Sequence, residues 1–206
     1  GMYTGGLVGA DSGSVYNSYA AFSKISEVGN KAPLYNVILG GAHVGNHYDS
    51  VMLEKAFPGD TTGLEQSLMK SPQFAWMLNT KYQTVANRKI WCHNGNHPVL
   101  ALDGRKSTYG IVRYVNDIVL DTVFTDCSGL AVWGDSISDP NTGKKIGNWQ
   151  LKNGDKTQNV GPQYVFSRDT SIYASVENAD WLLKEKSSSS SQAESSSSSS
   201  EPGSSS

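Results

Sequence analysis

The sequence predicts a mainly β protein, and three observations carry that prediction. Glycine is frequent, at 21 of 206 residues, and it serves turns that other residues strain to make. Aromatic residues reach 10%, ten of them tyrosine, while charged residues make up only 17%. That balance suits strands better than a helical bundle. Apolar runs are also short and punctuated by turn residues, apart from one helical stretch near residue 75.

Residues 1–50 hold short apolar pairs between glycines, first Gly5-Gly6-Leu7-Val8-Gly9 and then Ser14 to Ala20. Asn17-Ser18-Tyr19 and Asn46-His47-Tyr48 repeat an Asn-x-Tyr unit, 29 residues apart. Gly40-Gly41 precedes the second copy. A period near 29 falls in the range of stacked repeats.

Residues 71–79 read as a short helix, with a single turn ahead of it. Ser71 suits the N-cap, Pro72 the first helical position, and Phe74, Met77 and Leu78 share one face. Strand character returns at Ile90-Trp91. Asn94-Gly95 then makes a tight turn, and Pro98 opens the next strand.

Residues 109–178 look like a second unit. Strands are expected at 111–115, 119–124, 146–151, 164–166 and 171–176, with turns at Asp139 to Gly143 and Asn153-Gly154. Residues 187–206 contain 14 serines and read as a disordered linker, because they offer no apolar surface to offset the entropy of ordering. The domains expected are therefore 1–104, 109–180 and the tail 187–206.

Three resemblances follow from these motifs. Gly5 to Gly9, Asn17 to Ala20, His47-Tyr48-Asp49-Ser50, Thr61 to Leu64, Phe74 to Asn79, and Trp91 with Asn94 to Leu100 occur in the order seen in the GLUG-motif family of bacterial surface proteins. The match runs over residues 3–102, with His97 where tyrosine is usual. The resemblance implies the end of a β-solenoid, with one short helix and a last strand.

Residues 109–178 resemble an internalin-type B-repeat, a small β-grasp-like module of adhesins. Asp139-Pro140, Ile146 to Trp149, Tyr164 to Phe166 and Asp169 to Ala174 carry that match. Ile146 and Asn148 depart from its usual aromatic-x-Gly-Trp pattern, and Val176 stands where a tryptophan is usual. The serine tail resembles linkers of secreted multimodular proteins from polysaccharide-degrading bacteria.

Composition excludes several function classes. The net charge is −2, with no basic stripe, so nucleic-acid binding has no electrostatic footprint. No run of 18 apolar residues exists to span a membrane. The N-terminus has neither a basic n-region nor an apolar h-region. The chain therefore reads as a segment of a longer parent with further domains. Cys92 and Cys127 fit no metal-ligand spacing; they pair if the fold brings them together and otherwise remain single thiols.

Few residues suggest chemistry. His93 and His97 are four apart, but Asn94-Gly95 and Pro98 remove the helix that a metal pair at that spacing needs. His43 and His47 flank Gly45 in β-type sequence. Asp49, Glu54 and Asp60, and further on Asp103, Asp117, Asp121 and Asp126, show no pairing that sequence reveals. Asp49 reads as a hydrogen-bond acceptor for turn amides. No nucleophile elbow and no Walker or dinucleotide motif occurs. No catalytic residue, metal or cofactor is expected.

Aromatic residues remain. Trp91 and Trp149 sit in apolar strands and read as core. Trp133 and Trp181 are the candidate ligand-binding residues, since an exposed indole stacks on a pyranose face. The alternative for Trp181 is a clip that holds the C-terminal segment down. The expected function is a non-catalytic module of a secreted or cell-surface bacterial protein, in adhesion, ligand binding or spacing. Its partners would be a glycan or a host or cell-surface protein. The alternative is an accessory carbohydrate-binding portion of a multimodular polysaccharide-degrading enzyme.

Overall fold

A computed structural model describes residues 4–21, 31–50, 62–80, 89–133, 137–140, 142–177 and 179–183. The serine-rich tail, Glu54 and Asp60 lie outside the described residues. The fold is mainly β, as expected. Two compact units form. One comprises Gly1–Ile111, Thr122–Gly134 and Pro162–Thr170; the other comprises Val112–Asp121, Asp135–Gly161 and Ser171–Ser206. Segments 122–134 and 162–170, read from sequence as part of the second module, thus group with the first unit. Their anchors explain this. A disulfide joins Cys127 to Cys92, and the Phe166 N–H donates to the Gly129 carbonyl at 2.8 Å.

The first unit begins as a stack of very short parallel strand pairs. Strand β1 (Thr4–Gly5) pairs with β5 (Lys31–Ala32), and β2 (Val8–Asp11) with β6 (Tyr35–Ile38). Likewise β3 (Val15–Tyr16) pairs with β7 (His43–Val44), and β4 (Tyr19–Ala20) with β8 (His47–Asp49), which also pairs with β9 (Gly63–Leu64). Tyr19 faces His47 and Ala20 faces Tyr48. The offset here is 28 residues, one less than the Asn-x-Tyr echo suggests. Packing selects this register: small Ala20 (4% exposed) makes room for Tyr48 (4%) beside Leu34. A shift of one residue would reverse the faces.

Backbone and side-chain bonds hold the corners. The Asn46 Oδ1 accepts the Ser18 N–H at 2.9 Å, and its Nδ2 donates to the Val15 carbonyl at 2.7 Å. Gly41 has φ +79°, and a Cβ there would lie 1.6 Å from the Gly13 carbonyl oxygen. Only glycine fits that corner.

Helix α1 (Gln66–Met69) is the single turn expected, and α2 (Pro72–Thr80) is the expected helix. The Ser71 hydroxyl caps α2 by accepting the Phe74 N–H at 3.3 Å. Met69, Phe74 and Leu78 are fully buried and pack against Tyr19, Leu64 and Trp91. Asn79, at the end of α2, accepts the N–H groups of Ile90 and Trp91 and donates to the carbonyls of Trp91 and Thr108. It thereby fixes the antiparallel pair β10 (Trp91–Cys92) and β11 (Val99–Leu100).

Six strands form one sheet in the order β14-β13-β12-β17-β15-β16. They are β12 (Gly110–Val115), β13 (Ile118–Thr125), β14 (Ala131–Val132), β15 (Trp149–Asn153), β16 (Lys156–Val160) and β17 (Thr170–Ala174). Asn116 and Asp117 turn between β12 and β13 with φ of 47° and 63°, the handedness that suits hairpin twist. Asn153 faces Lys156, so Gly154 and Asp155 close a two-residue hairpin.

Strand β16 was not expected, although Asn153-Gly154 carries the hairpin signal. Residues 164–166, expected as a strand, contribute only an isolated bridge from Val165 to Leu130. In the second unit Val115, Trp149, Val160, Ile172, Ala174, Ala179 and Leu182 are buried.

Candidate ligand-binding site

The polar and aromatic groups of the first unit mostly serve its own structure. Tyr19 lies edge-on to Phe74 at 5.5 Å and stacks on His97 at 6.1 Å, and burial raises its hydroxyl above the ordinary phenol range. Trp91 donates its indole N–H to the Asn17 carbonyl at 2.9 Å. His43 meets the Asp11 carboxylate at 2.6 Å; this bond first, then the Gly13 N–H, holds the Asp11 carboxyl below its usual range. The Tyr35 ring stands edge-on to His43 at 4.5 Å, and burial, with the Asp11 charge, pushes its hydroxyl up to about 12.

His93 and His97 stay below the ordinary imidazole value, chiefly because burial disfavours their charged forms. Asp169 collects three donors: the Trp76 indole, the Gly110 N–H at 2.8 Å and the Lys89 ammonium.

Among the described residues, the acidic side chains noted in the sequence each bond to separate partners or sit in turns. Asp49 is fully buried and accepts the Gln66 amide at 3.1 Å. Asp103 sits in a turn at φ 55°, and Asp126 accepts the N–H groups of Ser128 and Leu130. Asp117 faces Lys152 at 3.5 Å, while Asp121 binds both Nε and Nη2 of Arg113. Among the described residues, no three of His, Cys, Asp and Glu cluster as metal ligands would.

The two tryptophans singled out from sequence lie in different units and are both half-buried. Trp133 follows β14, and its indole N–H is buried without a partner among the described residues. The Trp181 indole N–H is placed the same way. Around it, Ala179 (6% exposed) and Leu182 (3%) are buried, and residues 180–183 are helical.

Sequence reasoning missed a cleft in the second unit. Asp139, Thr142, Lys144 to Asn148 and Ala174 to Glu177 line this cleft, whose volume is about 250 Å³. One wall is a tight loop. In it the Gly143 N–H donates to the Asp139 carbonyl at 2.7 Å, the Asp139 N–H to the Lys144 carbonyl at 2.9 Å, and the Ile146 N–H to the Ile137 carbonyl at 2.8 Å. Buried Asp139 accepts the Thr142 hydroxyl at 2.9 Å. The other wall follows β17, where Asn116 both accepts the Val176 N–H and donates to the Val176 carbonyl. Both walls are thus set before any ligand arrives. The signal in sequence was the Asp139 to Gly143 turn, but nothing local said what it would face.

Beside this cleft, Tyr173 is sandwiched. Tyr114 stacks on it at 5.0 Å, and the Lys152 ammonium lies 4.1 Å from its centroid. Both faces of that ring are therefore occupied, which removes it as a stacking platform. On β12, Arg113 lies 5.4 Å from the Trp149 ring.

No helix among the described residues is long and apolar enough to cross a membrane. Comparison with models of protein families, with characterised proteins and with solved structures gives no match.

Proposed function

We propose that this chain is a non-catalytic binding module of a secreted or cell-surface bacterial protein. The observation that carries the reading is the Cys92–Cys127 disulfide, since such crosslinks persist in oxidising compartments and are rare in the cytosol. The parallel pairs at a 28-residue offset support reading this region as a β-solenoid end of the GLUG type, which its motifs resemble. The Lys89–Asp169 and Arg113–Asp121 ion pairs and the Asp11–His43 hydrogen bond give these polar groups a structural role.

The carbohydrate-binding alternative is favoured by one observation, the preformed cleft in the second unit. Screening of the purified chain against arrayed glycans and immobilised matrix proteins tests the reading, with Trp133→Ala and Trp181→Ala alongside. Selective binding is expected. Silence on both arrays sinks the binding reading, and hydrolysis of any polysaccharide overturns the non-catalytic one. Loss of binding in either tryptophan variant would move the contact surface to that residue.

A further inference from the structure

We propose that Asn94 is a site of self-modification, where the chain exchanges a side-chain amide for a carboxyl and re-links part of its backbone through isoaspartate. The inference does not depend on the binding-module reading. The sequence holds two Asn-Gly dipeptides, Asn94-Gly95 and Asn153-Gly154. Glycine has no side chain to shield its nitrogen, so in both that nitrogen can reach the asparagine amide carbon. The fold sets the two sites apart.

Residues 94–97 are bends between Cys92 and Val99, which pair across β10 and β11. Asn94, Gly95 and Asn96 are exposed, and a Cβ on Gly95 would meet no atom within 4 Å. Among the described residues, the Gly95 N–H has no acceptor. The Asn94 Oδ1 accepts the Asn96 N–H at 3.3 Å. That bond places a donor on the oxygen where negative charge develops when the amide carbon is attacked.

Asn153 is exposed too, and the space around Gly154 is equally open, so access does not separate the sites. Its restraint does. Asn153 ends β15 and faces Lys156 in a ladder of five pairs. Ring closure swings the asparagine backbone, so ladder bonds at Asn153 must open first. Among the described residues, nothing donates to its side-chain oxygen.

The chemistry needs only water. A solvent base removes the Gly95 N–H proton, and the nitrogen pair attacks the Asn94 Cγ. The bond from Cγ to Nδ2 breaks, and Nδ2 takes a proton from solvent and leaves as ammonia. Water then opens the cyclic imide at either carbonyl. One opening gives aspartate and the other isoaspartate, and both add a negative charge.

Isoaspartate also adds one carbon to the main chain, in a stretch fixed at both ends. Cys92 is held by the disulfide, and the Pro98 carbonyl accepts the Tyr19 hydroxyl. The extra length therefore falls on the β10–β11 pair, which loosens as the protein ages.

The test is incubation of the whole folded chain at body temperature and mildly alkaline pH, followed by peptide mapping with fragmentation that locates isoaspartate. Sequencing keeps any signal from Asp103-Gly104 separate from that of Asn94. Conversion is expected several times faster at Asn94 than at Asn153, and Asn94→Gln removes it. In denaturant with the disulfide reduced, the two sites should convert at similar rates, because the fold no longer separates them. Hydrogen exchange of the aged chain should show weaker protection at β10 and β11.

Equal or faster conversion at Asn153 in the folded chain overturns the proposal, as does an Asn94 that stays unconverted. A difference that persists in denaturant also overturns it, since sequence and not fold would then set the rates. Unchanged protection at β10 and β11 in a converted chain fails the stated consequence.

Discussion

The two units solve the same problem by different means. In the first, most strands are two residues long and parallel, too short for backbone ladders to hold them alone. Its order comes from discrete devices: a corner open only to glycine at Gly41, the Asn46 and Asn79 side chains that satisfy backbone groups, and one disulfide. In the second, β15 and β16 pair over five residues, and cross-strand contacts such as Tyr114 with Tyr173 spread the load. The lesson concerns fragility. A stack held by single residues fails at a single residue, whereas a laddered sheet loses stability in small steps.

The largest expected effect tests this directly. Gly41→Ala drives its Cβ into the Gly13 backbone and should cost at least about 4 kcal/mol in the first unit. Gly154→Ala in the β15–β16 hairpin has φ 58° and open space around it, so only backbone strain remains, about 1 kcal/mol. Hydrogen exchange resolved by peptide reads each unit separately. Equal losses at the two sites would break the comparison.

Next comes the crosslink. Cys92 and Cys127 are 35 residues apart, and replacing both with serine should lower protection in the first unit by about 2–4 kcal/mol. Protection of the β15–β16 hairpin serves as the internal control. Within the second unit, Arg113→Ala should cost about 2 kcal/mol by stranding Asp121. That is less than a fully buried pair would cost, because the Asp121 side chain is 40% exposed. A thermal melt measures it.

Acid should separate the units more gently. All four histidines belong to the first unit. Burial, first among causes, lowers His93 and His97; the nearby Lys70 charge adds to this for His97, and Asp49 opposes it. The unfolded chain therefore takes up these protons first. The stability from neutral imidazoles is complete above the ordinary value of about 6.5 and is lost as pH falls from there toward the folded-state values. Between pH 7 and 5 the first unit should lose protection while the hairpin of the second does not. His97→Gln should flatten that slope, and an unchanged slope would show that His97 does not contribute.

The smallest effect is Lys152→Ala. It removes a half-exposed ammonium from the Tyr173 ring and should cost about 0.5 kcal/mol. A loss several times larger would show that the second unit, too, hangs on single residues.

What the sequence determined by itself was local. Glycine content and broken apolar runs announced a mainly β chain. Ser71 and Pro72 announced the start of α2, because capping and a fixed proline φ act within one turn. The Asp139 to Gly143 turn was legible for the same reason.

Tertiary structure decided whatever needed a distant partner. It set the 28-residue register, since only packing of Ala20 against Tyr48 distinguishes it from the Asn-x-Tyr echo at 29. It joined Cys92 to Cys127, paired Arg113 with Asp121, and turned the indole N–H groups of Trp133 and Trp181 inward. It also laid the 139–148 loop against the end of β17 to make the cleft. Turn and cap signals arise from dihedral preferences and bonds a few residues long. Register, crosslinks and clefts arise from shape and charge matched across the chain, and no local pattern encodes the match.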